Sequence, residues 1–149
     1  MFTSKTFGVY GSDINTSGES IVAYVWADTP GVFKAGSFEG NASANGPYIE
    51  LGFRPAIILF KDSDSNSTNW TIFDDERSPH NFAGDQLYPN LNNQEADGTL
   101  STHAILDFLS NGFKIRGSHN SFNASRTIIY YAWAEAPSVD LFGGGANAR

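Results

Sequence analysis

The stretch 127–139, Thr-Ile-Ile-Tyr-Tyr-Ala-Trp-Ala-Glu-Ala-Pro-Ser-Val, is the strongest strand signal in the chain, because β-branched and aromatic residues dominate its first half. A near copy, Ser-Ile-Val-Ala-Tyr-Val-Trp-Ala-Asp-Thr-Pro-Gly-Val, occupies 20–32. Over the twelve positions that begin at Ile21 and Ile128, six residues are identical, among them the Tyr and the Trp. Unrelated segments would share about one such position, so the two stretches form an internal repeat.

The spacing of the two copies predicts the domain organisation. Ile128 follows Ile21 by 107 residues, and a unit of about this length leaves one complete β-sandwich domain at 32–149. Residues 1–31 are then the closing hairpin of a preceding unit. Because an isolated hairpin is only marginally stable, we expect it to pack on the main sandwich.

The composition excludes several classes of function. At 149 residues the chain has the length of one domain, and its net charge is −7. A charge of this sign repels phosphate backbones, so no nucleic-acid partner is expected. The absence of Cys excludes disulfides and thiol nucleophiles, and no apolar run reaches the roughly 18 residues of a membrane span, so no membrane insertion is expected.

Short apolar or alternating windows bounded by Gly, Asn, Asp or Pro predict an all-β, antiparallel fold, since no window keeps a 3.6-residue period. The expected strands are Thr6–Tyr10, Ser20–Trp26, Val32–Ser37, Tyr48–Leu51, Ala56–Lys61, Trp70–Phe73, Ala104–Leu109, Gly112–Arg116 and Thr127–Ala134.

Three connections between these strands follow from the turn residues. The Asn-Gly pair within Leu109–Gly112 predicts a hairpin closed by a type I′ turn. The polar loop 117–126 predicts a second hairpin between Phe113–Arg116 and Thr127–Ala134. The equivalent N-terminal hairpin joins the strands expected near Thr6 and Ser20.

Two further segments carry structural expectations. Ile57-Ile-Leu-Phe60 is continuously apolar, which predicts a central strand with both faces covered. The chain from Asp74 to Ser101 is polar and long, which is typical of a functional or interface loop, with room for one helical turn at Leu91–Ala96.

A set of short motifs carries a family resemblance. The set comprises Gly46-Pro-Tyr-Ile-Glu-Leu-Gly-Phe-Arg-Pro-Ala56, Ile58-Leu-Phe-Lys61, Asn69-Trp-Thr-Ile-Phe-Asp74, Asp107-Phe-Leu-Ser-Asn-Gly-Phe-Lys114 and Ile129-Tyr-Tyr-Ala-Trp-Ala-Glu-Ala-Pro137. Together these motifs resemble a domain family of bacteriophage tail and fibre proteins, found especially in phages of marine bacteria and cyanobacteria. The resemblance implies a β-sandwich of the jelly-roll or lectin-like kind and a structural role in the virion. It brings no catalytic residues to this chain.

Three functional hypotheses remain open. The leading one is the C-terminal part of a tail fibre or appendage, a homotrimer that adheres to polysaccharide or protein on the host surface. The second is a capsid or tail decoration protein that binds only other virion proteins, which exposed apolar patches on flat sheet faces would favour. The third is a carbohydrate-active enzyme, which requires a cleft with two opposed carboxylates.

Four residues around the Trp strand form the candidate ligand-binding site: Trp70, Asp74, Asp75 and Arg77. A Trp ring can stack on a sugar, and carboxylates accept hydrogen bonds from sugar hydroxyls. The alternative is structural, with Trp70 in the core, Asp74 at the strand end and Arg77 paired with a carboxylate.

No metal, cofactor or catalytic residue is expected, and the chain is not predicted to be an enzyme. The segment Asp62–Thr68 begins like a calcium loop, but Ser67 and Phe73 stand where an EF-hand needs Gly and Glu, which favours a solvated turn. The three His residues, His80, His103 and His119, lack the spacing of a metal site or a catalytic triad.

Overall fold

The computed structural model describes residues 6–12, 14, 16–98 and 104–135. These residues form nine strands and one short helix in the order β1 Phe33–Glu39, β2 Tyr48–Glu50, β3 Pro55–Asp62, β4 Thr71–Asp74, β5 Asp85–Gln86, β6 Ala96–Asp97, β7 Leu106–Leu109, β8 Gly112–Ile115, α1 Asn120–Asn123 and β9 Thr127–Ala134.

The strands form two facing antiparallel sheets, as the sequence predicted. The four-stranded sheet has the order β1-β9-β3-β4, and the three-stranded sheet has the order β2-β8-β7. Strands β5 and β6 pair separately. The fold is therefore an all-β, antiparallel sandwich.

Phenylalanine rings fill the space between the two sheets. Phe60 of β3 lies 5.4 Å from Phe113 of β8 and 5.7 Å from Phe122 of α1, measured between ring centroids. Phe73 of β4 meets Phe122 edge to face at 5.4 Å. All four rings are fully buried, and burial of each contributes about 1.5–3 kcal/mol. This core fixes which face of each strand points inward.

Strand β3 is central, but one of its faces is less covered than predicted. It pairs with β9 on one side and with β4 on the other. Ile58 and Phe60 are fully buried, whereas Ile57 is 41% exposed. The continuous apolar run therefore alternates between the core and an outer face that is apolar but only partly covered.

The predicted hairpin at Leu109–Gly112 is present, but its turn type is wrong. Strands β7 and β8 pair with Leu109 opposite Gly112, so the loop residues are Ser110 and Asn111. Among the described residues only Ala42 combines a side chain with positive φ, so Asn111 does not form a type I′ turn. Gly112 is needed instead because a Cβ there would collide with the carbonyl oxygen of Ile49 on β2.

Three other local predictions are wrong. Strands β8 and β9 lie in different sheets, so 116–126 crosses between sheets and does not close a hairpin. The described residues near Thr6–Tyr10 and Ser20–Trp26 form no strands, and Leu91–Ala96 contains no helical turn. The division at residues 31 and 32 stays a prediction, and residues 136–149 of the expected domain lie outside the described part of the chain.

Candidate functional site

The outer face of the four-stranded sheet is unusually aromatic. Strand side chains alternate between faces, so Tyr131 and Trp133 of β9 point away from the core that holds Tyr130 and Ala132. On β1, Phe33 lies opposite Trp133 and continues the same outer face. Strands β1 and β9 thus place three aromatic rings on this outer face.

Six rings form a continuous chain of contacts across this face, which we call the aromatic cluster. Trp133 lies 5.2 Å from Phe33 and 5.8 Å from Trp26, and Tyr131 lies 6.5 Å from Trp133. The cluster consists of Tyr24, Trp26, Phe33, Trp70, Tyr131 and Trp133. All three Trp residues of the chain belong to it, whereas Phe dominates the core.

Trp70 is half-buried on the outer face, so the alternative that placed it in the core is wrong. Its ring lies 6.3 Å from Tyr131. Its backbone N–H donates to Asn90 Oδ1 at 3.1 Å, and the Asn90 amide donates to Asn69 Oδ1 at 3.1 Å. An aromatic ring beside two amide side chains therefore stands at the start of β4.

The structure separates Trp70 from the other three predicted site residues. Asp74 is the last residue of β4, about 13 Å from Trp70 at the usual rise per residue of a strand, and Asp75 and Arg77 follow it. Arg77 pairs with Asp74 and approaches Glu95 at 3.6 Å. Asp74 Oδ1 also accepts a hydrogen bond from the Arg77 backbone N–H at 2.8 Å.

Asp75 is paired by a residue that the sequence did not identify. Arg54, just before β3, contacts Asp75 at 2.5 Å and Glu135 at 3.3 Å. Because Arg54 is 21 positions from Asp75, no local motif reveals the pair. These contacts tie the ends of β3, β4 and β9 together, and each carboxylate of the predicted site is engaged by a guanidinium.

The calcium-like loop after β3 is filled by a lysine of its own chain. The Lys61 ammonium donates to the carbonyl oxygens of Asp62 at 2.8 Å and Ser65 at 3.0 Å, and to Thr68 Oγ1 at 3.1 Å. These oxygens therefore serve an internal cation. In the described residues no group of three or more His, Asp or Glu side chains could hold a metal ion.

Burial raises the pKa of Tyr88, and it shifts the pKa of two further rings. His119 precedes α1 and accepts a hydrogen bond from the Ser121 N–H through Nδ1 at 3.3 Å, and burial lowers its pKa. Burial, and secondarily the charge of Asp28, raises the pKa of Tyr130. His80 is exposed and His103 lies outside the described residues. None of these three perturbed rings joins the aromatic cluster.

A small depression adjoins the aromatic cluster on the β1 side. It measures about 250 Å³ and is lined by Asp28, Thr29, Pro30, Phe33, Lys34, Leu51 and Phe53. The Lys34 ammonium spans the gap between the sheets and donates to the Glu50 carbonyl oxygen at 2.8 Å. The depression and the cluster share Phe33, so they form neighbouring parts of one surface.

Comparison with protein families gives a match that covers all the residues that the structure describes. The model of DUF7483, a domain of unknown function, matches residues 1–137. The chain belongs to this family. Neither a curated protein nor a solved structure matches the sequence.

The aromatic cluster lies entirely within the DUF7483 match, and so does the 20–28 segment that supplies Tyr24 and Trp26. No helix in the described part of the chain has the length and apolarity needed to cross a membrane. What the arrangement offers chemically is a flat, apolar and aromatic contact surface with polar amides at one end.

Proposed function

We propose that this DUF7483 domain is a structural assembly module that binds another protein surface through its aromatic cluster. The observation that carries the proposal is that all three Trp residues of the chain meet on the outer face of the four-stranded sheet instead of filling the core. Trp and Tyr are the residues that supply most binding energy at protein interfaces. Large exposed apolar patches on soluble domains usually mark such interfaces.

The setting that we propose is a bacteriophage virion, supported by the resemblance of the sequence motifs to tail and fibre proteins. Among the virion roles, the position of the patch favours contacts with other virion proteins. Three of its six rings lie on strands β1 and β9, which present a rigid surface at little entropic cost, whereas receptor-binding contacts more often lie on loops. The module would thus hold an appendage or a decoration in place.

Host-surface adhesion is the second candidate, and the surroundings of Trp70 favour it. Its half-exposed ring stands beside the paired amides of Asn69 and Asn90. Amides donate and accept hydrogen bonds, as sugar hydroxyls require, and the ring offers a stacking face. Only this end of the cluster combines the two features among the described residues.

The two candidates separate experimentally. Mass spectrometry of the purified bacteriophage particles should detect the chain. Electron microscopy of these particles should place the outer face of its four-stranded sheet against another virion protein. Trp70→Ala should weaken incorporation, whereas Tyr48→Ala, which removes a more exposed ring on β2 outside the cluster, should not. Absence of the chain from particles would overturn the proposal. Two results together would establish adhesion instead. The wild type would bind host cells or polysaccharide and Trp70→Ala would not, and the aromatic cluster would contact no other virion protein in the particle.

A further inference from the structure

The 20–28 segment has the sequence of a strand but not its structure. It repeats the β9 pattern, with Tyr24 and Trp26 at the positions of Tyr131 and Trp133. In the described residues it forms no ladder, and its apolar side chains are exposed, with Tyr24 at 78% and Val22 at 73%. Such a segment lacks the neighbouring strand that its pattern requires.

Strand β1 has an edge that is only partly covered. Thr29 exchanges two backbone hydrogen bonds with Phe33, and the Asp28 carboxylate accepts from the Ala35 N–H at 2.8 Å. Beyond that point Ser37 and Glu39 are exposed, and in the described part of the chain their outward backbone groups have no partner. An open edge of this kind is a template for pairing with another strand.

The segment cannot use the edge of its own β1 without misplacing its rings. Continuing the Thr29–Phe33 pairing along β1 would set Val25 opposite Ser37 and turn Tyr24 and Trp26 toward the core side. On β9, the equivalent Tyr131 lies opposite Ala35 and points outward. The two registers are three residues apart. Because three is an odd number, changing from one register to the other moves every side chain to the opposite face of the sheet. The chain accordingly leaves the edge at Asp28.

We propose that residues 20–24 add as a fifth strand to the open β1 edge of a second copy of this chain. In the register that β9 uses, Tyr24 would lie opposite Ala35 of that copy, Val22 opposite Ser37 and Ser20 opposite Glu39. At Ala35 this register uses only the carbonyl oxygen, because the Asp28 carboxylate of the receiving copy already accepts from the Ala35 N–H. It gives about five backbone hydrogen bonds and leaves Tyr24 on the outer face.

A second copy is the occupant because the edge that matches this pattern belongs to the chain itself. The side-chain pattern of the segment is the one that β1 already pairs with through β9. A reciprocal exchange of segments closes on a two-fold axis and gives a dimer. The inference rests on the proposed assembly role and names its partner.

The test is the mass of the full chain in solution, measured by light scattering after size exclusion over a wide concentration range. We expect the wild type to reach twice the monomer mass of 16.2 kDa. Val22→Pro removes the N–H that would bond Ser37 of the second copy, and Ser37→Pro removes the N–H on the receiving edge. Each should raise the dimer dissociation constant about tenfold or more, with unchanged circular dichroism.

Ser17→Pro is the matched control, because Gly18 with φ 88° follows it in the 16–19 turn, where proline fits before a positive-φ glycine. It should dimerise like the wild type. In a mixture of the two chains, the intact segment of Ser37→Pro can pair with the intact β1 edge of Val22→Pro. The mixture should therefore form heterodimers through this one exchange, with a dissociation constant below that of either variant alone. A wild type that stays monomeric, or proline variants that dimerise normally, would overturn the inference. Loss of dimerisation in Trp70→Ala alone would instead locate the contact in the aromatic cluster and leave the proposed assembly role intact.

Discussion

Two side-chain amides of this domain are fully buried and should respond to substitution with opposite signs. Asn123 of α1 donates to the carbonyl oxygens of Gly117 at 2.7 Å and Ser43 at 2.8 Å, and accepts from the Asn41 N–H at 3.0 Å. Gln86 of β5 is equally buried, at 0% exposure, but neither its amide nitrogen nor its amide oxygen has a partner.

The magnitudes follow from this difference. A buried amide without partners costs about 1–3 kcal/mol, so the nearly isosteric Gln86→Met should stabilise the fold by about that amount. Asn123→Leu removes these three hydrogen bonds and a fourth, longer one to Asn41 Oδ1 at 3.3 Å, and it leaves the buried Gly117 carbonyl unpaired. At about 1 kcal/mol for each bond, it should destabilise the fold by about 3 kcal/mol or more. In a domain of this size, each kcal/mol moves the melting temperature by about 2–4 °C.

Thermal unfolding followed by circular dichroism, together with urea denaturation, measures both changes. We expect Gln86→Met to melt about 2–12 °C higher than the wild type and Asn123→Leu to melt at least about 6–12 °C lower. A destabilised Gln86→Met would refute the reasoning, since it would mean that the Gln86 amide makes hydrogen bonds in solution. If Asn123→Leu melted at the wild-type temperature, the hydrogen bonds of the Asn123 amide would contribute little to stability, and the packing of the side chain would be sufficient.

Three further outcomes are expected. Arg126→Met should destabilise the fold by about 3 kcal/mol in urea denaturation, because the partner of Arg126 at 3.0 Å is the carboxylate of Asp62, which is fully buried and would lose its positively charged partner and keep only the hydrogen bond from the Asp64 N–H. Gly112→Ala should lower the melting temperature far more than Gly52→Ala, because a Cβ at Gly112 meets the Ile49 carbonyl whereas Gly52 has a positive φ but open space; equal effects would contradict this. Since burial lowers the His119 pKa in the folded state, its neutral form contributes stability above the unfolded pKa of about 6.5, and this stability is lost as the pH falls through that value. His119→Asn, which keeps a helix-capping acceptor, should flatten that part of the curve of melting temperature against pH.

The sequence predicted the parts of the fold that depend on neighbouring residues. Alternation and β-branched content located β3, β4 and β9, and a short polar loop located the β7–β8 hairpin. Pairings between distant segments were not accessible in this way. Nothing in 113–134 indicates that β8 and β9 belong to opposite sheets, since that choice depends on Phe113 meeting Phe60 across the core.

In the candidate site too, residue type could be predicted from the sequence, whereas the location of each side chain depends on pairing between distant strands. Trp70 was identified as a site residue from its type, but its location on the outer face follows from the pairing of β4 with β3. Trp70 and the Asp74 carboxylate lie at opposite ends of β4, a separation that their closeness in sequence did not indicate. The aromatic cluster as a whole joins rings from positions 24 to 133, which only the sheet order brings together.

The two copies of the repeat explain why similar sequences take different structures here. Strand β9 lies between β1 and β3 and satisfies both of its edges, whereas the 20–28 segment is tethered to β1 in a register that would turn its rings inward. Trp26 remains 51% exposed on the cluster, so it buries about 100 Å² and contributes about 2.5 kcal/mol. Extending the Thr29–Phe33 pairing along β1 would add two or three hydrogen bonds of about 1 kcal/mol each. The burial of Trp26 and these hydrogen bonds therefore contribute similar free energies. Because the two terms nearly balance, a neighbouring chain that offers the hydrogen bonds in the outward-facing register is sufficient to convert the segment into a strand.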